Sequence, residues 1–150
     1  MILSRTTPAH TDYQRLIVAL DQDLAVTDGE DHAFYNQFNG SEDIQHVVVG
    51  EIDGTPVACG AIKAYDKTTA EVKRMYTVNG ARGKGLAGEV LSALEAWACE
   101  LSYRRLILET GKRQTAAIRL YEKHGYRRLT ENYGQYRGVA NSVCMEKDLP

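Results

Sequence analysis

The hydrophobic pattern of this chain changes its period once, within the glycine-rich stretch "VNGARGKGLAGEV" at residues 78–90. The chain before this stretch holds three runs rich in β-branched residues, "IQHVVVGEI", "TPVACGAIKAY" and "AEVKRMYTV". Apolar residues after it recur every three to four positions, which is the spacing of a helix that buries one face. The sequence therefore predicts a group of strands that passes into a long helix through a loop of glycines.

Turn residues predict that the three runs form an antiparallel meander. Asp53 and Gly54 separate the first two runs, and Asp-Gly between β-branched runs is a strong signal for a two-residue hairpin. A turn around Asp66 and Lys67 separates the second run from the third. Strands joined by such short connections pair side by side in antiparallel fashion.

The segment before the meander predicts a short strand and two helices. "MILSRTT" is typical of a strand, and the first helix begins near Thr11. "HAFYNQFNG" predicts a second, short helix that Asn39 and Gly40 end. The apolar residues of the first helix recur at helical spacing and are Tyr13, Leu16, Ile17, Leu20 and Leu24.

The C-terminal half predicts two helices and three strands. A helix from about Gly85 to Ser102 is followed by the short buried strand "RLILE", and a second helix is closed by Gly125. "YRRL" and "NSVCMEKDL" predict the closing strands. Without repeats or linkers, residues 1–150 are expected to form one α+β domain with a mixed sheet. The residues expected on the buried faces of these helices are Leu86, Val90, Leu91, Leu94, Trp97, Ala98 and Leu101 in the first, and Ala117, Leu120, Tyr121 and His124 in the second.

Composition argues against several classes of protein. A formal net charge of −2 lacks the basic surplus of a dedicated nucleic-acid binder. The sequence contains no run of about 18 apolar residues, so no membrane span is predicted. The N-terminus lacks the apolar core of a signal peptide. Cys59, Cys99 and Cys144 form no C-x-x-C pair, and the four histidines show no metal-ligand spacing. We therefore expect a cytoplasmic protein with free buried thiols, no metal, no nucleic-acid partner and no membrane partner.

The glycines formally match a dinucleotide fingerprint. Residues 83–88, "GKGLAG", fit G-x-G-x-x-G, and Glu109 follows about 20 residues later, where a ribose-binding acid would lie. However, that fingerprint comes early in a stack of βαβ units, whereas a meander precedes it here. Four residues also separate the strand from Gly83, where the dinucleotide turn is tight. The dinucleotide interpretation is therefore disfavoured.

The same loop suits another phosphate ligand, since a helix N-terminus offers unpaired N–H groups and a partial positive charge. Arg82 and Lys84 add charge to it. Residues 78–87 resemble the Q/R-x-x-G-x-G/A signature of the GNAT superfamily of acyl-CoA N-acyltransferases. "AAIRLYEKHGY", at residues 116–126, resembles the second signature of that family, A-x-x-L-Y-x-x-x-G-F/Y. The order of elements is similar over essentially the whole chain.

The resemblance implies a three-layer α/β/α fold and a mostly antiparallel sheet, split by a V-shaped cleft that binds acetyl-CoA as cosubstrate. The cleft would open between "AEVKRMYTV" and "RLILE", with pantetheine along the first strand and pyrophosphate on the glycine loop. Asn79-Gly80 departs from the family pattern, which often has a proline after the valine, and we expect a slightly looser loop. The implied cofactor-binding residues are Tyr76, Thr77, Val78, Arg82, Gly83, Lys84, Gly85, Leu86, Ala87, Gly88, Gln114 and Tyr121.

N-acyl transfer needs a neutral amine, a stabilised oxyanion and a proton for the departing thiolate. A tyrosine, with a pKa of about 10, stays protonated where a thiol of pKa about 8.5 departs. Tyr121 occupies the tyrosine of the second signature, whose hydroxyl faces the CoA sulfur in the family. Its spacing alone would favour a packing residue, and the match to the signature reverses that preference. A backbone N–H near Met75 or Tyr76 would hold the oxyanion.

A covalent cysteine route is disfavoured, because no cysteine has an evident histidine partner.

Two glutamates are candidates for the base that an amine of pKa about 10.4 requires. Glu71 lies at the position of the glutamate of the histone-acetylating members. Glu109, twelve residues before Tyr121, matches the base of the ribosomal-protein N-terminal acetylases. We favour Glu71 slightly, for a closer approach to the acyl end, and the choice stays open, a water relay included. Basic residues near both in sequence could make either a structural acid, namely Lys73, Arg74, Lys112 and Arg113.

The acceptor, a small-molecule or peptide amine, is expected to enter opposite acetyl-CoA. No acidic cluster that would mark a polyamine or basic-peptide site is evident in the sequence. The expected activity is acetyl transfer by direct attack in a ternary complex, and the alternative is an acyl-CoA-binding sensor without catalysis. The oligomeric state is open, a homodimer being one option. Candidates for lining the acceptor site are His32, Tyr35, Tyr133 and Tyr136.

Overall fold

The computed structural model describes residues 1–38 and 40–150. Short 3-10 turns lie at Gly29–Asp31, Asn79–Ala81 and Gly134–Tyr136. The helices and strands are, in chain order, β1 (Ile2–Thr6), α1 (Thr11–Asp28), α2 (His32–Asn36), β2 (His46–Ile52), β3 (Thr55–Ala64), β4 (Thr69–Thr77), α3 (Leu86–Glu100), β5 (Arg105–Gly111), α4 (Thr115–Lys123), β6 (Arg127–Arg128) and β7 (Ser142–Asp148).

Within the described ranges the strands form a seven-stranded sheet in the order β1-β2-β3-β4-β5-β7-β6. Neighbouring strands are antiparallel except for β4 and β5, which are parallel. The hairpin between β2 and β3 turns at Asp53 and Gly54, whose φ angles of 51° and 78° are those of a two-residue turn with both central residues left-handed. The predicted mixed, mostly antiparallel sheet is confirmed.

Helices cover both faces of the sheet, as a three-layer fold requires. α1 buries Tyr13, Leu16 and Leu20 against β2 and β3 on one face. α3 buries Val90 and Leu94 on the opposite face, where α4 also packs. Since alternate residues of a strand point to opposite sides, the central strands contribute to both layers of core.

Several predicted boundaries need correction. α2 ends at Asn36, before the predicted stop, and Asn39 of that stop lies outside the described residues. α3 ends at Glu100, so Leu101, predicted on its buried face, is 39% exposed. Cys99, predicted as buried, is half-buried, because Ala98 faces the sheet and the next helical residue points about 100° away.

The end of α4 follows the predicted pattern. Gly125 has a φ of 91°, which glycine adopts at little cost. The N–H of Tyr126 donates to the carbonyl of Tyr121 at 2.9 Å, and that of Gly125 donates to Glu122 at 3.1 Å. These two bonds make the Schellman closure of a helix.

A bulge in β4 bends the strand next to the cleft described below. Arg74 and Met75 together stand opposite a single residue of β3, Gly60. Arg74 adopts a left-handed φ of 59°, which a residue with a side chain rarely does. Such a bulge increases the local twist and re-aims the side chains that follow it.

Replacing Gly60 by alanine is expected to lower the free energy of unfolding by about 1–3 kcal/mol. A Cβ at this position would lie 2.5 Å from Sδ of Met75 and 2.9 Å from Cδ1 of Leu94. Urea unfolding measures the change, with Gly80→Ala as the control, since a Cβ at Gly80 meets nothing within 4 Å. Equal stability of the two variants would contradict the tight packing of α3 on β3.

Candidate functional site

β4 and β5 pair only along their first residues. The described parallel pairing runs from Thr69 with Arg105 to Glu71 with Ile107 and ends there. Both strands continue for several residues beyond this point. The sheet is therefore split into a V-shaped cleft between β4 and β5, as predicted.

A cavity of about 570 Å³, called here the donor cavity, occupies the wide end of the cleft. Its walls come from α1, the end of β4, the glycine loop and α4. Val78 and Lys84 were predicted to bind the cofactor but do not line it. The predicted cofactor-binding residues that line it are Tyr76, Thr77, Arg82, Gly83, Gly85, Leu86, Ala87, Gly88, Gln114 and Tyr121.

The glycine loop offers unpaired backbone amides at the donor cavity. Within the described residues, the amides from Gly83 to Gly88 donate to no backbone carbonyl, and the first such bond of α3 runs from Glu89 to Gly85. Gly83 and Gly85 have φ angles of 80° and 77°, the left-handed region that favours glycine. Unpaired amides at the positive end of a helix dipole form an anion site.

Gly88 has a packing role that the sequence analysis missed. A Cβ at this residue would lie 2.7 Å from Nε2 of His124. The absence of a side chain therefore lets the end of α4 approach the first turn of α3. The two helices that flank the donor cavity are held close together in this way.

Arg82 lies across the mouth of the donor cavity. Its Nε donates to the carbonyl of Thr77 at 2.9 Å, and its guanidinium pairs with Asp23 of α1 at 3.0 Å. The guanidinium carbon is also 5.7 Å from the ring centroid of Tyr76. A ligand that pairs with the Thr77 carbonyl must therefore displace this arginine.

A smaller cavity of about 160 Å³, called here the acceptor cavity, continues the cleft towards α2 and β5. Tyr121 and Met75 line both cavities and so mark their junction. The acceptor cavity contains both candidate bases, Glu71 and Glu109. The fold thus brings the predicted acid and both predicted bases to one place.

The two candidate bases have different surroundings. Glu71 is buried, and its Oε2 accepts a hydrogen bond from the hydroxyl of Tyr133 at 2.5 Å. Glu109 is half-buried. Burial raises the pKa of its carboxyl to about 8, against the opposing effect of the Lys73 ammonium. Glu109 is therefore the carboxyl that exchanges its proton near neutral pH.

Tyr121 is buried at the junction of the two cavities, where its ring packs edge-on against Tyr126 at 5.7 Å. Burial and the nearby Glu109 carboxylate both raise the pKa of its hydroxyl. The phenol therefore keeps its proton at neutral pH, as a proton donor must.

The predicted acceptor-lining residues divide into two groups. Tyr35 and Tyr136 line the acceptor cavity. Tyr133 and His32 do not line it, although Tyr133 holds Glu71. Asp28 lines it and was not predicted. The sequence signal that could have identified Asp28 is an acidic residue at the end of the apolar pattern of α1, where the helix dipole disfavours negative charge.

Other chemistries find little support in the described part of the chain. Burial raises the pKa of the Cys59 thiol to about 12 and that of Cys144 to about 11, so neither is an activated nucleophile. No group of three His, Cys, Asp or Glu residues there could hold a metal ion. No helix among the described residues is long and apolar enough to cross a membrane.

The sequence matches a family profile and curated relatives. The profile of the Acetyltransferase (GNAT) family matches residues 12–126. An IAA acetyltransferase of Azospirillum brasilense is 34% identical, and the match covers 98% of this chain and 97% of the relative. YsnE of Bacillus subtilis (strain 168), an uncharacterized N-acetyltransferase, is 38% identical over 93 residues, and the match covers 61% of each chain.

Solved structures share the fold over nearly its full length. A protein of Klebsiella pneumoniae assigned as an acyl-CoA N-acyltransferase has a TM-score of 0.81 at 30% identity, covering 99% of this chain and 97% of that one. A GNAT family acetyltransferase of Elizabethkingia anophelis, solved with acetyl-CoA bound, has a TM-score of 0.72 at 15% identity with the same coverage. The second likeness is one of fold alone.

Proposed function

Since the chain belongs to the acetyltransferase (GNAT) family, we propose that residues 1–150 form a single catalytic domain that moves an acetyl group from acetyl-CoA to a primary amine in a ternary complex. The observation that carries this proposal is the continuity of the donor and acceptor cavities, because Tyr121 and Met75 line both. An amine on one side can reach a thioester on the other without a covalent enzyme intermediate.

Acetyl-CoA occupies the donor cavity in this proposal. Its pyrophosphate lies on the amides from Gly83 to Gly88, and its pantetheine follows β4 at Tyr76, Thr77 and Val78. The unpaired amides of the loop support the first placement. The lack of a β5 partner beside the end of β4 supports the second. Arg82 then leaves Asp23 and the Thr77 carbonyl, and its charge becomes available to the phosphates.

The reaction forms a C–N bond and breaks a C–S bond. The amine nitrogen attacks the thioester carbonyl, an amide near Met75 or Tyr76 holds the oxyanion, and the hydroxyl of Tyr121 protonates the departing thiolate. An acceptor that arrives as an ammonium ion loses two protons from nitrogen. The base passes the first, lost before attack, to solvent, then takes the second after attack and returns it to the Tyr121 phenolate, so protons and charge balance. Glu109 and Tyr121 line the same cavity, which supports this proton transfer.

We assign the base to Glu109, whereas the sequence slightly favoured Glu71. The raised pKa of Glu109, about 8, suits a group that must accept a proton near neutral pH. Glu71 already accepts the Tyr133 hydroxyl, which holds its carboxylate in place. Glu71 then orients the acceptor and Tyr133 rather than carrying the proton.

Gly85→Asn is expected to weaken acetyl-CoA binding at least about tenfold, or about 1.4 kcal/mol. Asparagine tolerates the left-handed conformation of Gly85, so the loop keeps its shape while a side chain obstructs the pyrophosphate. Calorimetric titration measures the affinity. Gly54→Asn is the matched control, since the φ of Gly54, 78°, is within a degree of that of Gly85 and Gly54 lies in the β2–β3 hairpin. Unchanged affinity in Gly85→Asn would remove the pyrophosphate from this loop.

Release of the CoA thiol against a broad panel of primary amines tests the function directly. We expect release that depends on both acetyl-CoA and an amine. Tight acetyl-CoA binding without release for any amine, amino acid or peptide would favour the sensor function instead. Absence of acetyl-CoA binding would contradict both functions.

A further inference from the structure

Three carboxylates from separate parts of the chain line the acceptor cavity. Asp28 is the last residue of α1, Glu71 lies in β4 and Glu109 lies in β5. No stretch of sequence shows this cluster, because the three residues are far apart along the chain. The cluster gives the acceptor cavity an acidic lining.

The lining cations do not neutralise this charge. Arg74 is held by Asp21 of α1 at 2.6 Å, so its charge is already matched. Lys73 donates from its ammonium to the backbone carbonyl of Phe38 at 2.8 Å. Among the lining residues, one unmatched cation therefore faces three acids, of which Glu109, with a carboxyl pKa of about 8, is largely uncharged at neutral pH.

Asp28 is placed where a carboxylate costs stability. Asp28 is only 8% exposed. Burial raises the pKa of its carboxyl, and the nearby Asp31 charge raises it further, whereas the His32 and Arg113 charges lower it. Arg113 donates to the backbone carbonyl of Asp28, and the side chain finds no hydrogen-bond donor in the described part of the chain. The negative end of the α1 dipole adds to the cost. A buried acid that lines a cavity and accepts no hydrogen bond there points to a cationic ligand.

Two aromatic rings complete the wall. Tyr35 and Tyr136 line the same cavity as the acids. The hydroxyl of Tyr35 shares a hydrogen bond with Ser142 at 3.0 Å, which fixes the ring. Aromatic faces beside carboxylates attract ammonium ions through both charge and the ring quadrupole.

We propose that the acceptor is a small cationic amine that carries no carboxylate beside its nitrogen, held as an ammonium ion by Asp28, Glu71 and the rings of Tyr35 and Tyr136. This inference rests on the proposed function and names the substrate class of the same site. An α-carboxylate would meet the carboxylates of Asp28 and Glu71, and like charges brought together suppress binding. The small volume, about 160 Å³, favours a free amine over a folded protein surface.

Matched pairs of ligands test the class. 2-Phenylethylamine and L-phenylalanine differ only in the α-carboxylate, as do butane-1,4-diamine and L-ornithine. Calorimetric titration into the protein saturated with CoA is expected to give each amine at least about tenfold tighter binding than its amino acid. Equal or tighter binding of the amino acids, or no binding of either amine at millimolar concentration, would overturn the proposal.

Asp28→Asn tests the residue that carries the inference. We expect amine affinity to fall at least about tenfold while the thermal midpoint stays equal or rises, because a buried charge is lost. Asp53→Asn removes the same charge from the exposed hairpin turn and should change neither. Unchanged amine binding in Asp28→Asn, or a lowered midpoint with unchanged binding, would assign Asp28 a structural role and overturn the proposal.

Turnover separates this inference from the proposed function. Selective amine binding without CoA release would contradict the acetyltransferase activity and leave the ligand class standing. CoA release that favours the amino acids would confirm the activity and overturn the class, with Lys73 then free to hold the carboxylate.

Discussion

Phenylalanine in place of Tyr121 is expected to lower kcat by about 10²–10⁴-fold, the usual scale for a general acid. The change removes the hydroxyl that protonates the thiolate and leaves the ring, so its edge-on packing with Tyr126 should persist. The loss should appear in kcat more than in KM, because the interaction strengthens as charge develops on sulfur. Steady-state CoA release measures the rate, and titration should show little change in acetyl-CoA affinity.

Tyr126→Phe is the matched control for this variant. Tyr126 is a buried tyrosine of the same cluster, and its hydroxyl donates to Glu95 at 2.7 Å, away from both cavities. Losing that bond should cost about 1–3 kcal/mol of stability, since the acceptor is charged, and should leave kcat near the parent value. A near-normal kcat in Tyr121→Phe would reduce Tyr121 to a packing residue and move the catalytic end of the cleft elsewhere.

The parts of the fold that follow from local chemistry could be predicted from the sequence. Asp53 and Gly54 specify a hairpin by their own conformational preferences, and Gly125 specifies the end of α4. The anion site of the glycine loop also follows from local sequence. Its amides are unpaired because they precede or form the first turn of α3. These features need no knowledge of distant residues.

The acceptor cavity could not be predicted in the same way, because distant segments build it. Asp28 meets Glu109 only once α1 has packed across the split sheet. The bond between Tyr133 and Glu71 spans 62 positions of the chain. Candidate bases could be named from motifs, but their surroundings, which decide between them, depend on tertiary packing. The Arg74 bulge is similarly invisible, since arginine has no preference for a left-handed φ.

Glu109→Gln is expected to lower kcat/KM by about 10²–10⁴-fold at neutral pH. The pH profile of the parent enzyme should have a limb that rises through about pH 8. Glu109 acts as a base only when ionised, and burial raises the pKa of its carboxyl to about 8. The pH at which this limb rises is set by the burial of the carboxyl and by the charged groups that face it, which are Lys73, Asp28 and Glu71. The limb should be absent in the variant. A pH profile of kcat/KM with a saturating donor makes the measurement.

Glu71→Gln is the reciprocal variant, since it changes the other glutamate of the same cavity. If Glu71 orients the acceptor rather than accepting its proton, Glu71→Gln keeps the limb near pH 8 at a reduced rate. Loss of the limb in Glu71→Gln, with the limb intact in Glu109→Gln, would reverse the assignment of the base.

Stability gives an independent readout of Glu109. Its folded pKa of about 8 exceeds the unfolded value, about 4.3, so the folded state binds the proton more tightly and parent stability falls as pH rises between these values. Thermal midpoints across this range should fall for the parent and lose that component in Glu109→Gln, whichever glutamate carries the proton in turnover.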